Sequence, residues 1–376
     1  MKNLEHALNY VENVQSELIQ LIKDLCAIPS FSHHEEKKAQ FIKEWFKSLG
    51  IEAIIDEKYN VIVPINAEGK DKLTVFMAHI DTVFPDEVGF DCVEKDGWLC
   101  APGVGDDTTN VAELMLITKY ILENKFSCPS GCLIVFNSCE EGLGNLDGSR
   151  YLMDTYGSRV NEFYSFDGGY KAIVCKAVGS VRYEVVIKTE GGHSYGAFGN
   201  RNAIALASSM ICTLYDYKVP TRGKSTYNVG VIEGGTSVNT IAQEVKFMYE
   251  VRSDEREDLQ EMKNFFESVV NAYRCMGIEV EVKLLGERPC MGDVNEEQMK
   301  TILNRVIEVI HQYTDNLPAF HSGSTDCNIC YDRGVAGCCF GGYEGKGAHT
   351  REERVEISSL LPGMKILMHF ILDHFE

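Results

Sequence analysis

Apolar positions follow two rhythms along much of this chain. Runs such as LTVFMA (73–78) and CLIVFN (132–137) are continuously apolar, the pattern of short strands buried on both faces. Between them TTNVAELMLITKYILEN (108–124) carries apolar residues at helical spacing. Buried strands alternating with amphipathic helices predict an open α/β sheet with helices on both faces.

From Ser180 to Gly286 the order changes to strand (VRYEVVIKTE), helix (NAIALASSMICTLYDY), strand (STYNVGVIEG), strand (AQEVKFMYEVR), helix (DLQEMKNFFESVVNAYRC), strand (GIEVEVKLLG). That βαββαβ order is the split βαβ unit of a ferredoxin-like domain. Beyond it Asn295 stands as a helix cap with Gln298 three residues on, ahead of a stripe of Met299, Ile302, Leu303, Val306, Ile307 and Ile310. The α/β pattern resumes there. The expected organisation is a larger domain from residues 1–178 and 289–376, with residues 179–288 inserted as a smaller one.

Composition narrows the partners. A chain of 376 residues, 44% hydrophobic, is long enough for two cored domains. Its net charge of -20 would repel nucleic acid and anionic lipid. The opening MKNLEHALNYVENVQSELIQLIKDL reads as an amphipathic helix without the apolar core of a signal peptide. Stretches such as ELMLITKYIL are too short and too interrupted to span a membrane, so a soluble, cytoplasmic protein is expected. In that compartment the 14 cysteines read as reduced thiols filling core positions. Cys327 and Cys330 have redox-motif spacing, which leaves a thiol oxidoreductase as a distant alternative.

Ligands of open α/β sheets bind outside the carboxyl ends of the strands, and the chemically capable residues of this chain cluster at such ends. LTVFMA runs into His79-Ile-Asp81, whose i and i+2 side chains point the same way in an extended segment. His79 reads as a metal ligand, with Asp81 accepting a hydrogen bond from its ring. In GVGDDTTN, Asp107 or Thr108 reads as a helix cap, whereas Asp106 could bridge two cations with its two oxygens. CLIVFN ends in Ser-Cys-Glu140-Glu141-Gly, an acid pair that wants something positive facing it. Glu141 is assigned as ligand and Glu140 as the base that takes a proton from an acidified water. EFYSF ends in Asp167-Gly-Gly, and the late loop GKGAHT supplies His349.

Singly, each has an ordinary explanation: a turn aspartate, a loop histidine, a solvated acid pair. Five together, in a nitrogen and oxygen mixture, suit two divalent metal ions, zinc first and manganese or cobalt as alternatives.

The motifs AHIDTV, GVGDD, SCEEG, FDGG, GGHSYGAFGNRNAI, GGTSVNTI, EVRS, SGSTDCNI and GKGAHT, in that order, span nearly the whole chain. They resemble the binuclear zinc exopeptidase and deacylase family that includes peptidase T, glutamate carboxypeptidase, acetylornithine deacetylase and succinyl-diaminopimelate desuccinylase. The resemblance implies that His79 and Asp167 hold one metal, Glu141 and His349 the other, and Asp106 both, with Glu140 as base. It also implies that the inserted unit is a lid and homodimerisation domain. On that unit His193 matches a histidine that polarises the amide carbonyl, Asn239 a residue touching the same oxygen or the substrate, and Arg252 an arginine that grips a substrate carboxylate. Without the family, His193 and Asn239 read as turn residues and Arg252 as an ion pair with Asp254 or Glu255.

Two departures bear on the substrate. Relatives commonly continue the bridging motif as DDKGG or DMKG, whereas Asp106 and Asp107 run into Thr108-Thr109-Asn110. Aspartate at position 167 is the choice of relatives acting on a free amino end, glutamate that of carboxypeptidases and deacylases. The resemblance therefore implies an aminopeptidase of the tripeptidase kind acting on short peptides, with an N-acyl amino acid deacylase as the alternative. A non-catalytic metal-binding dimer is the alternative of another class.

Overall fold

Continuous burial marks three of the central strands, Leu73–His79, Cys132–Asn137 and Ala336–Cys339. In the computed structural model, which describes residues 2–315 and 317–376, Leu73–His79 and Cys132–Asn137 are buried at every position. They lie parallel with His79 opposite Asn137. Val160–Ser165 joins parallel on the other side of Leu73–His79, and Ala336–Cys339 parallel beyond that, Cys339 opposite Ser165. Val61–Ile65 pairs antiparallel with Cys132–Asn137, and Ala172–Ala177 meets Ala336–Cys339 antiparallel. Ile54–Ile55 and Ala319–Gly323 complete an eight-stranded mixed sheet. Its four central strands end within two residues of level, His79 opposite Asn137 and Ser165 opposite Met77 and Cys339, so the residues that follow them leave the same edge.

Helices cover both faces of this sheet. Asn110–Glu123 packs on Leu73–His79, and Gln15–Cys26 and Ile357–Leu372 pack against Asn110–Glu123. Cys327–Asp332 packs on Val160–Ser165 and Ala336–Cys339, with Asp147–Tyr156 against it. Asn110–Glu123 buries nearly its whole surface, Lys119 excepted up to Ile121, which is why its sequence is apolar all round rather than striped. The opening amphipathic pattern forms two helices, Lys2–Asn13 and Gln15–Cys26, broken at Val14. Asn295 does cap Glu296–Tyr313, its side chain accepting from the Gln298 amide. Gln298 does not return the bond as a capping box would; its side-chain amide donates to the Asn161 carbonyl.

Contact clustering divides the chain into one unit up to Cys175 and from Gly292 onward, and a second from Lys176 to Met291. The second is built as βαββαβ. Its strands stand in the order Ser225–Gly234, Glu244–Ser253, Gly179–Lys188, Glu279–Arg288, all antiparallel. Alternate residues Val181, Tyr183, Val185 and Ile187 turn toward Ala203–Tyr215 and Arg256–Cys275, forming a core with Phe247, Tyr249 and Phe266. No helix among the described residues is long and apolar enough to cross a membrane.

One close approach in the first unit fixes how the last helix seats. Gly363 lies against the Gly342 carbonyl, and a Cβ there would sit 1.3 Å from that oxygen. The helix cannot retreat without giving up the buried side chains of Met364, Leu367 and Phe370. Gly363→Ala is expected to destabilise the chain by about 3 kcal/mol or more, seen as a lower thermal midpoint. An unchanged midpoint would show that the helix does not depend on this approach.

Candidate metal centre

The site is assembled by residues that leave the strand ends of the first unit. His79 is the last residue of Leu73–His79 and is fully buried. Its Nε2 lies 3.0 Å from Asp106 Oδ1, and its Nδ1 lies 3.1 Å from the Asp81 carbonyl oxygen. The ring is thus held from behind by Asp81, chiefly through the main chain, because the Asp81 carboxylate stands 3.5 Å away. That carboxylate has other work. Its Oδ1 accepts from the Glu140 amide at 3.0 Å, and its Oδ2 from the Glu141 amide at 2.9 Å and the Ser32 hydroxyl at 2.7 Å. Asp81 therefore fixes the acid pair as well as the histidine, a reach the i, i+2 spacing did not predict.

Asp106 stands at the centre. Its Oδ2 lies 3.0 Å from His349 Nε2, so each of its oxygens faces a different imidazole. His349 Nε2 is also 3.2 Å from Glu141 Oε1. The segment carrying Asp106 is held by Glu353, whose Oε1 accepts from the Gly105 and Asp106 amides and whose Oε2 accepts from Gly103, all at 2.8 Å. Asp107 is not a helix cap, as its sequence position suggested. Its Oδ2 accepts from the His79 amide at 3.0 Å and its Oδ1 from the Asn110 side chain at 2.6 Å. Nor does Thr108 serve as one: the residue before Asn110–Glu123 is Thr109, which makes no side-chain cap bond. Asp107 thus ties the start of the helix to the end of the strand.

Ligand-capable atoms lie within 4.8 Å of one another in three sets: Asp106, Glu141 and His349; His79, Glu140 and Glu141; and His79, Asp107 and Asp167. The five ligand positions read from the sequence all appear in these sets, together with Glu140. Asp167 stands with Asp107 rather than with Asp106 in the last.

The electrostatics of the cluster follow from acids crowded around two imidazoles. Burial alone would lower the His79 pKa, but hydrogen bonds to Asp106 and Asp81 drive it well above the usual range. Contacts with Asp106 and Glu141 push His349 up to about 11. Burial would raise Asp106, yet the two imidazoles pull it below the usual carboxylate range. Burial, and then the Asp106 charge, push Asp167 up to about 7, and burial also raises Glu141 and Asp107. Crowding thus raises the imidazoles and most of the acids while Asp106, between the two rings, is lowered. Carboxylate and imidazole donors crowded in this way fit divalent cations.

The other predicted residues belong to the second unit. His193 and Asn239 sit together on a short ribbon, Gly192–His193 paired with Thr240–Ile241, where the Ser194 amide donates to the Asn239 carbonyl at 2.9 Å. Arg252 pairs neither with Asp254 nor with Glu255. Its Nε and Nη2 bind Glu250 at 2.7 and 3.0 Å. Cys327 and Cys330 are fully buried, and burial raises the Cys330 thiol well above its ordinary value, which disfavours Cys330 as a redox nucleophile.

Sequence reading missed Glu353, Ser32 and Asp326. Glu353 sits in the charged stretch REERVE, and nothing local marks one acid of that stretch as buried. Asp326 bonds the Asn137 side chain at 2.6 Å behind the acid pair.

Comparison with known proteins bears on the fold and the family. Over 96% of its length the chain superposes on 98% of a tripeptidase from Staphylococcus aureus, with a TM-score of 0.74 and 22% identity. It superposes on an M20 family metallo-carboxypeptidase from Sulfolobus solfataricus (TM-score 0.77, 16% identity, 94% and 98% of the two chains). It also superposes on a dinuclear metal-binding M20 peptidase, YXEP, of Bacillus subtilis (TM-score 0.66, 18% identity, 96% and 98%). At these identities the likeness establishes the fold. Residues 75–373, well over half of the chain, match Peptidase family M20/M25/M40, and to that family the chain belongs.

Proposed function

We propose that this chain is a binuclear-metal aminopeptidase that releases amino-terminal residues from short peptides. The observation that carries the reading is Asp106, one carboxylate with a different imidazole at 3.0 Å from each oxygen. His79 and Asp167 would hold one cation, Glu141 and His349 the other, with Asp106 shared between them. Two divalent cations bound there would supply the positive charge that acidifies a water and polarises a scissile carbonyl. Zinc suits these donors, as do manganese and cobalt.

The rest of the chemistry falls to side chains of this chain. Glu140, next to Glu141 and with its amide pinned on Asp81, takes the proton of the attacking water and returns it to the leaving amine. Asp81 keeps the His79 ring oriented with Nε2 toward Asp106. From the resemblance, His193 donates to the developing oxyanion, Asn239 contacts the same oxygen, and Arg252 grips a substrate carboxylate. For Arg252 that role requires release from Glu250. The second unit is read as lid and homodimer interface, its edge strand Ser225–Gly234 being exposed along most of its length. Aspartate at 167 supports the aminopeptidase reading over a deacylase.

Zinc- or manganese-loaded protein, assayed by mass spectrometry on di- and tripeptides beside N-acetyl and N-succinyl amino acids, is expected to release amino-terminal residues. Glu140→Gln should lose on the order of 10²- to 10⁴-fold in kcat with both metals retained. His349→Ala should retain about one metal per chain by elemental analysis. Cleavage confined to the acylated amino acids would move the protein to the deacylase reading, and full turnover by Glu140→Gln would remove the base assignment.

Cation binding should also depend on pH with a definite sign. Asp167 has a folded pKa raised to about 7. In the metal-free protein its contribution to stability is present below the unfolded value of about 3.9 and is lost as pH rises through about 7. His349, raised to about 11, contributes below its unfolded value of about 6.5 and loses that contribution only as pH passes about 11. A cation must displace both protons. The rise in melting temperature on adding zinc is therefore expected to be larger at pH 8 than at pH 6, with proton release measurable by calorimetry in buffers of different ionisation enthalpy. A pH-independent rise without proton release would contradict the ligand set.

A further inference from the structure

A cavity of about 420 Å³ in the first unit is lined by Gly105, Gly168, Gly169 and Ala348, three of them chain neighbours of Asp106, Asp167 and His349. Lys346 and Arg354 belong to the same wall. These two residues are direct cross-strand partners in the ribbon Gly345–Lys346 with Arg354–Glu356. Like charges directly opposite one another destabilise a ribbon. Both lean on one aromatic ring: the Lys346 ammonium lies 5.6 Å and the Arg354 guanidinium 4.9 Å from the centre of Trp98.

The acids that could neutralise them are engaged elsewhere. Glu344 pairs with Lys171, Glu353 takes three backbone amides, and Glu356 accepts from the Ser358 hydroxyl. Among the described residues neither Lys346 nor Arg354 makes an ion pair. Both side chains are exposed at a cavity that Lys171, Glu344 and Glu353 also line, so the two cations are open to a ligand there. A planar guanidinium beside an ammonium, both backed by an aromatic face, has the chemistry to hold a carboxylate.

We propose that Lys346 and Arg354, backed by Trp98, form an anion subsite that binds a carboxylate of the substrate. The proposal rests on the peptidase reading for its substrate and not for its geometry, and it stands as the alternative to Arg252, which is paired with Glu250, as holder of that carboxylate. The carboxylate comes from the carboxyl end of a short peptide or from an acidic side chain. In the first case selectivity tracks the chain terminus, in the second the residue.

Metal-loaded wild type, Lys346→Gln, Arg354→Gln and the double variant would be compared on Ala-Ala-Ala, its C-terminal amide, and the amides of Ala-Asp-Ala and Ala-Asn-Ala. Wild type is expected to favour the free carboxylate over the amide, or aspartate over asparagine. Each single variant should raise KM for the favoured substrate about tenfold with little change in kcat. KM for the neutral amides should not move, and Lys346→Arg should keep most of the selectivity. Selectivity for the first pair identifies the terminal carboxylate, and for the second the side chain. Equal use of charged and neutral substrates by wild type, or selectivity intact in the double variant, would overturn the proposal.

A binding readout separates this outcome from failure of the peptidase reading. The chain has two tryptophans, so a Trp45→Phe background isolates Trp98 fluorescence. Saturable quenching by N-acetyl-alanine but not by its amide, lost in the double variant, supports the subsite even if no peptide is cleaved. Identical responses to the two probes overturn it.

Discussion

Everything at the strand ends is arranged around the crowding of carboxylates there, and Asp106 is the group on which that crowding turns. It faces His79 with one oxygen and His349 with the other, each at 3.0 Å. It can do so because Glu353 gathers the amides of Gly103, Gly105 and Asp106 at 2.8 Å each and fixes the loop beneath it. A buried carboxylate is costly unless hydrogen-bonded or paired. Here one buried acid, Glu353, holds the backbone that carries another acid, the half-buried Asp106.

Asp81 and Asp107 extend the same principle outward. Asp81 links Ser32, the His79 ring and the two amides of the acid pair, so strand ends that are not sequence neighbours share one anchor. Asp107 joins the His79 amide to Asn110 at the start of the long buried helix. Side-chain positions at the cluster are thereby set by the sheet and its covering helix, which keeps the reacting groups fixed before substrate arrives.

Much of this could be read from sequence, for reasons that differ by element. Leu73–His79 and Cys132–Asn137 were legible because strands buried on both faces are continuously apolar. The βαββαβ order of the second unit was legible from period-two alternation, as in Gly179–Lys188, where every second residue is buried. Two-residue strands such as Ile54–Ile55 and Gly345–Lys346 have no period to detect. Among site residues, acids and histidines stood out where an apolar run stopped abruptly, as at His79 and Glu140. Glu353 did not, since it acts across almost the whole length of the chain and its neighbours are as charged as it is. Asp107 was misread because a carboxylate before a helix resembles a cap, and only the sheet pairing shows that the His79 amide claims it.

The most direct test of the account is metal stoichiometry in Asp106→Ala, measured by elemental analysis after loading with zinc and desalting, beside wild type. If one carboxylate serves both cations, wild type holds two per chain and the variant loses both, with the fold retained by circular dichroism. A folded variant that still binds two metals would contradict the bridging role and, with it, the arrangement of ligands inferred around it.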